Sequence, residues 1–131
     1  MTSSVAPRPS SLESRIRFIS YKGKQALLVD LSHCSAEEVA RLSKLVPAFV
    51  TREPRGSVLL LADFTGAQVD REAAERLKQD TVFDRPHVKR SAWVGTDYIP
   101  RVLYENIKRF SQRELTSFRS REEALDWLVQ E

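Results

Sequence analysis

Ser57-Val58-Leu59-Leu60-Leu61-Ala62-Asp63 sets five apolar side chains in a row between a serine and an aspartate. Side chains of a strand alternate between two faces, so an unbroken apolar run describes a strand covered on both sides. That is the environment of a parallel sheet flanked by helices. The run is far shorter than the roughly 20 apolar residues a membrane-spanning helix needs. The segments next to it change period from two to about 3.6. Upstream, Ser35-Ala36-Glu37-Glu38 is a capping-box pattern, and Val39, Leu42, Val46, Phe49 and Val50 fall on one stripe of the helix behind it. Pro54 and Gly56 close that helix. Downstream, the loop Phe64-Thr65-Gly66-Ala67-Gln68-Val69 leads to Asp70, an N-cap for a helix running to about Thr81.

Working outward, Arg15 to Ser20 and Lys24 to Asp30 read as a hairpin turning at Tyr21-Lys22-Gly23. Beyond Pro86, Lys89 to Val94 is a fourth strand. Pro100 then suits the first turn of a helix whose apolar face is Ile99, Val102, Leu103, Ile107 and Phe110. Leu115 to Phe118 is a short fifth strand. Ser120-Arg121-Glu122-Glu123 is a second capping box, opening a last helix with Ala124, Leu125, Leu128 and Val129. The order β-β-α-β-α-β-α-β-α predicts one α/β domain over residues 15–131: a single mixed, mostly parallel sheet of about five strands with about four helices. Residues 1–14, rich in Ser and Pro, are expected to be a disordered tail.

The 131 residues suit one domain with its own core. Cys34 is the only cysteine, which excludes an intrachain disulfide and a cysteine-cluster zinc site. With no apolar stretch of a secretory signal in Met1 to Ser11, the expected compartment is the cytoplasm. The formal charge is +3, unevenly spread: from Arg85 to Arg121 nine basic residues meet three acidic ones. Such a half suits anionic lipid, nucleic acid or an acidic protein, although solvating charges on outer faces are the commoner origin.

Leu59-Leu60-Leu61-Ala62-Asp63-Phe64-Thr65-Gly66, set in this strand-helix order, resembles the SpoIIAA-like proteins. These are the small bacterial STAS/SEC14-type domains related to anti-sigma factor antagonists. Val88-Lys89-Arg90-Ser91-Ala92-Trp93-Val94-Gly95 and the stretch from Phe118 to Leu128 are similar to the family's other segments. The resemblance spans Arg15 to Val129 and implies a regulatory or interaction module, or a lipid-associated domain. It also exposes a departure. The partner-switching antagonists carry a phosphorylatable serine after an aspartate at the start of the helix following the third strand. Here that stretch is Asp70-Arg71-Glu72-Ala73, with no hydroxyl beside the aspartate, and Thr65 is the nearest substitute.

Asp30 and Asp63 end predicted strands, where open α/β sheets place their crevices. Two such carboxylates suit a magnesium ion or a phosphoryl group, and equally an aspartate's ordinary role of capping its own loop. His33 and Cys34 are adjacent, yet neighbours in sequence rarely point at each other, and Cys34 also suits a small apolar site. Arg109, Arg113 and Arg119 interleave with Phe110 and Phe118 as a single-strand nucleic-acid surface would, but both phenylalanines, like Trp93 and Trp127, fit the core pattern better, so nucleic acid is not an expected partner.

No coherent catalytic, metal or cofactor set emerges. The leading expectation is a non-enzymatic domain that binds a partner protein through Asp63, Thr65, Gly66, Gln68, Asp70 and Arg71, at a helix start with exposed backbone donors. The alternative is a lipid or other apolar ligand held by Ile99, Val102, Leu103 and Ile107, or contact with an anionic membrane. An enzyme using Asp30, Asp63 or Cys34 ranks third. A homodimer through the edge of the first hairpin is a further expectation.

Overall fold

Five strands and four helices follow one another: β1 (Ile16–Tyr21), β2 (Lys24–Asp30), α1 (Ala36–Val50), β3 (Val58–Asp63), α2 (Arg71–Asp84), β4 (Val88–Val94), α3 (Arg101–Ser111), β5 (Leu115–Phe118) and α4 (Arg121–Leu128). The computed structural model describes residues 12–111 and 115–130. They form one sheet in the order β1-β2-β3-β4-β5. β1 and β2 are an antiparallel hairpin; every later pairing is parallel. The hairpin turns in two residues because Lys22 and Gly23 both take positive φ, 50° and 83°, matching the twist of the flanking strands.

β3 lies mid-sheet and is buried at all six positions, as its unbroken apolar run requires. Leu60 and Ala62 face α1, α2 and α3, packing with Val39, Leu42, Leu77 and Ile107. Leu59 and Leu61 face α4, packing with Ala124, Leu125 and Leu128. The crossovers through α1, α2 and α3 therefore share one face of the sheet, and the chain changes face only after β5. Among the described residues, no helix is long and apolar enough to cross a membrane.

Several boundaries move. Met1–Ser11 of the expected tail lies outside the described residues. Leu12–Arg15, which includes the tail's last three positions, is a 3-10 turn with Leu12 packed on the core. The helix opened by Asp70 runs three residues past Thr81, to Asp84.

The largest correction concerns α3. Val102 is 79% exposed and Phe110 47% exposed. The helix starts at Arg101, so Leu103 and Ile107, four apart, share the inner face with Tyr104, and Ile99 is buried just before it. Val102 lies one step round, outside that stripe. Ile99, Val102, Leu103 and Ile107 thus do not form one apolar wall: three pack into the core, and the fourth faces solvent.

Candidate functional site

The carboxyl ends of β2 and β3 bring Asp30 and Asp63 side by side as register partners. Each stands two residues beyond a leucine of the α4 face, so strand alternation puts both carboxylates on that face. Each first satisfies its own loop. Asp30 Oδ1 accepts from the Ser32 amide at 3.1 Å and the Ser32 hydroxyl at 2.6 Å. Asp63 Oδ1 accepts from the Thr65 amide at 2.9 Å and the Thr65 hydroxyl at 2.7 Å. Between them lies Arg121, the first residue of α4: its Nε donates to Asp63 Oδ2 at 2.6 Å and its Nη2 is 3.1 Å from Asp30 Oδ1. Arg15 closes the far side, 3.8 Å from Asp30 Oδ1 and donating to the Asp30 and Ser32 carbonyls.

A guanidinium therefore fills the position between the carboxylates that a cation would take. Burial pushes Asp30 upward, but the Ser32 hydroxyl and amide, with Arg121 and Arg15, outweigh it and hold the carboxyl below its ordinary value. Burial works against the charge on Arg121, yet Asp63 and then Asp30 keep its pKa above the usual one.

Arg121 was not foreseen as a site residue, although a signal for it exists. A helix dipole favours acids in the first turn, and an arginine among Ser120, Glu122 and Glu123 goes against that preference. Such a residue needs carboxylates from another element, and the two strand ends supply them.

Beyond the strands the loops continue the parallel pairing. The Leu31 amide donates to Asp63 O, the His33 amide to Thr65 O and the Gln68 amide to Cys34 O, all at 2.8–2.9 Å. Gly66, at φ +71°, lies beneath the His33 ring, closer than any Cβ could come. His33 itself takes φ 59°. Cys34 turns the other way, into the core among apolar side chains. Burial pushes its thiol pKa up, the opposite of what a nucleophile needs. The His33–Cys34 neighbours do not form a dyad.

The six expected partner-binding residues divide. Asp63 is buried in the ion pair, the Thr65 hydroxyl serves Asp63, and Gly66 lies under His33. A phosphate on Thr65 would take that hydroxyl from Asp63 and set a second anion beside it, which makes Thr65 a poor replacement for the missing serine. Gln68, Asp70 and Arg71 are exposed. Asp70 Oδ1 accepts from the Ala73 amide at 2.8 Å and caps α2, as its position predicts. This turn borders an open groove of about 340 Å³ between α1 and α2, lined by Glu37, Arg41, Lys44, Asp70, Glu72 and Arg76 among others.

The aromatic residues near the basic segment also separate. Trp93 is core, 4.7 Å from Phe64 ring to ring. Phe118 is half-buried against Trp127 at 5.4 Å. Phe110 is not core, and Lys78 Nζ lies 4.9 Å over its ring, occupying a face that a base would stack on. Arg113 lies outside the described residues.

No family model matches the sequence, and no curated protein does. Among solved structures, this one is similar to an uncharacterized protein of the DUF3478 family from Shewanella loihica PV-4, which has a SpoIIAA-like fold. The two superpose with a TM-score of 0.66 at 18% identity, over 87% of this chain and 92% of that one. With its sheet order, its three helices on one face and its single helix on the other, the chain has the SpoIIAA-like fold.

Proposed function

We propose that the protein is a non-enzymatic regulatory domain that docks a partner protein on the exposed turn Gln68–Arg71 and the adjoining α1–α2 groove. One observation carries this reading. At the carboxyl ends of the strands, the groups best suited to chemistry are engaged internally, Asp30 and Asp63 by Arg121 and Cys34 by the core, while the neighbouring turn points its polar side chains outward. The surface offers both signs of charge, with Arg71, Arg41 and Arg76 beside Glu37, Asp70 and Glu72. Mixed charge fixes register with a partner rather than attracting every anion. The likeness in fold to anti-sigma factor antagonists supports an interaction role, although this chain lacks their serine.

A photo-crosslinking residue placed at 68 or 71 in the native cell is expected to capture the same protein from both positions. Placed at Arg55, in the exposed turn before β3 at the other end of the sheet, it is expected to capture nothing. Equal capture from all three positions, or from none, sinks the reading. In the wild-type background, Arg71→Glu should lower recovery of the captured protein several-fold without changing the melting temperature.

A further inference from the structure

In an open α/β sheet, ligands lie outside the carboxyl ends of the strands where neighbouring connections leave for opposite faces. Here that happens once. β4 leads to α3 on the three-helix face, and β5 leads to α4 on the other. An open crevice of about 910 Å³ lies at this point, walled by Thr65, the turn Gly95–Tyr98, and Ser117, Arg119 and Glu123. Its size falls in the ordinary range of small-molecule sites, roughly 300–1,000 Å³. Gly95 makes the crevice possible: at φ +75°, an added Cβ would come within 2.6 Å of the Thr65 amide, so only glycine lets the two loops meet.

The lining says what would fit. Ser117 Oγ accepts from Thr96 Oγ1 at 3.3 Å and lies 2.7 Å from Tyr104 Oη. When Tyr104 also donates, the Ser117 proton is left to point into the crevice, strengthened by the two bonds behind it. The same crevice is lined by two acidic residues, Asp97 and Glu123, and one arginine, Arg119. Glu123 also accepts from the Arg119 amide at 3.3 Å. One positive against two negative charges disfavours a phosphate or other anion. Carboxylates, hydroxyls and a guanidinium are instead the partners that neighbouring sugar hydroxyls take. Tyr98, 52% exposed on the rim, offers a ring for the apolar face of a pyranose.

We propose that this crevice binds a neutral polyhydroxy molecule, a mono- or disaccharide or a cyclitol. The site is separate from the partner-docking turn and stands or falls without it. Amide chemical-shift titration of the ¹⁵N-labelled full chain with glucose, galactose, maltose and myo-inositol tests the proposal, with inorganic phosphate and glucose 6-phosphate as charged counterparts. At least one neutral probe should give saturable shifts centred on Gly95, Thr96, Ser117 and Arg119. Tyr98→Ala, on an exposed side chain, and Ser117→Ala should each weaken that binding roughly tenfold, the loss of about one contact, with the melting temperature of Tyr98→Ala unchanged. Silence from all neutral probes, tighter binding of the phosphorylated ones, or shifts that both variants leave intact would overturn it. None of these results alters the crosslinking pattern at 68 and 71, so the two readings fail separately.

Discussion

On one face of the sheet three helices press Leu42, Val46, Leu77 and Ile107 onto Leu27, Val29, Leu60 and Ala62. On the other, a single helix of eight residues offers Ala124, Leu125 and Leu128 to Leu28, Leu59, Leu61 and Ala92. The smaller face is compensated by polar fastenings at every level of α4. Arg121 ties the helix start to Asp63 and Asp30. Asp126 accepts from Tyr21 Oη at 2.7 Å and Lys22 Nζ at 2.8 Å. At the other end, Arg90 donates to the carbonyls of Trp127 and Gln130, and Lys24 to that of Val129, with the Arg90 guanidinium 5.3 Å over the Trp127 ring. Cations at the last carbonyls and a capped start both suit the helix dipole. One face is held by burial and the other largely by directional bonds, and the two should fail differently.

The largest effect belongs to the three-helix face. Phe64 is fully buried and packed against Trp93, the rings tilted by 35°. Phe64→Ala should cost about 3–5 kcal/mol, through lost burial and the cavity left behind. Urea denaturation should show a lower midpoint with a single transition, since that core is shared by three helices. A variant that loses only α4 signals would contradict the division between the faces.

Arg121→Ala comes next. The Asp63 side chain is only 7% exposed, and without the guanidinium it keeps the Thr65 donors but loses its neutralising charge. The expected loss is about 2 kcal/mol, less than for a fully buried pair because Arg121 is partly exposed. Hydrogen exchange should accelerate at Leu125 and Leu128 more than at Leu42 and Val46. Adding Asp63→Asn should recover part of the loss, because the orphaned charge is removed with its partner. Uniform acceleration across both faces would show that α4 is no separate unit.

Acid reads the same fastening. Because the folded protein holds Asp30 below its ordinary value, the Asp30 carboxylate stabilises the fold at pH above the unfolded value, about 3.9. That contribution is lost as pH falls through the depressed folded value. Melting curves of wild type and Asp30→Asn should differ near neutrality, with wild type more stable, and converge at a pH below the depressed folded value. Parallel curves down to that pH would remove Asp30 from the fastening.

How much of this the sequence disclosed follows the same division. Periodicity reports burial, so the five strands, the four helices and the two-sided cover of β3 were legible from apolar spacing, and the caps at Ser35, Asp70 and Ser120 from their residue types. Val102 was misplaced because an apolar residue one step off a helical stripe looks like part of it until the helix start is fixed. Phe110, by contrast, keeps the stripe of Leu103 and Ile107 but lies in the last turn of the helix, 47% exposed. The site was less legible. Asp30 and Asp63 were located at the correct strand ends, but their partner Arg121 lies 58 positions beyond Asp63, and which face α4 would take was not encoded in any local pattern. The outward set Gln68, Asp70 and Arg71 was separable from Asp63 and Thr65 only once Arg121 had claimed the carboxylate.

The smallest predicted effect returns to the three-helix face, where a carboxylate departs from its apolar rule. Asp80 on α2 faces α1, with the Ser43 hydroxyl, Arg76 and Lys44 nearby favouring its charge. Even so, burial dominates and pushes its pKa up. Its Oδ2 is buried and has no hydrogen-bond partner among the described residues. A raised value gives the opposite sign to Asp30: the fold is favoured with Asp80 protonated, and that stability is lost as pH rises through the folded value. Near neutrality the ionised carboxylate is therefore a cost to the fold. Asp80→Asn removes the charge at nearly constant volume and should raise stability at pH 7 by at most about 1 kcal/mol, the scale of one unsatisfied buried group. The gain should vanish as pH falls below the folded value, where wild type carries the proton itself. A gain that persists there would mean that packing, not charge, is what Asp80 disturbs, and a loss at pH 7 would mean that Arg76 and Lys44 outweigh the burial.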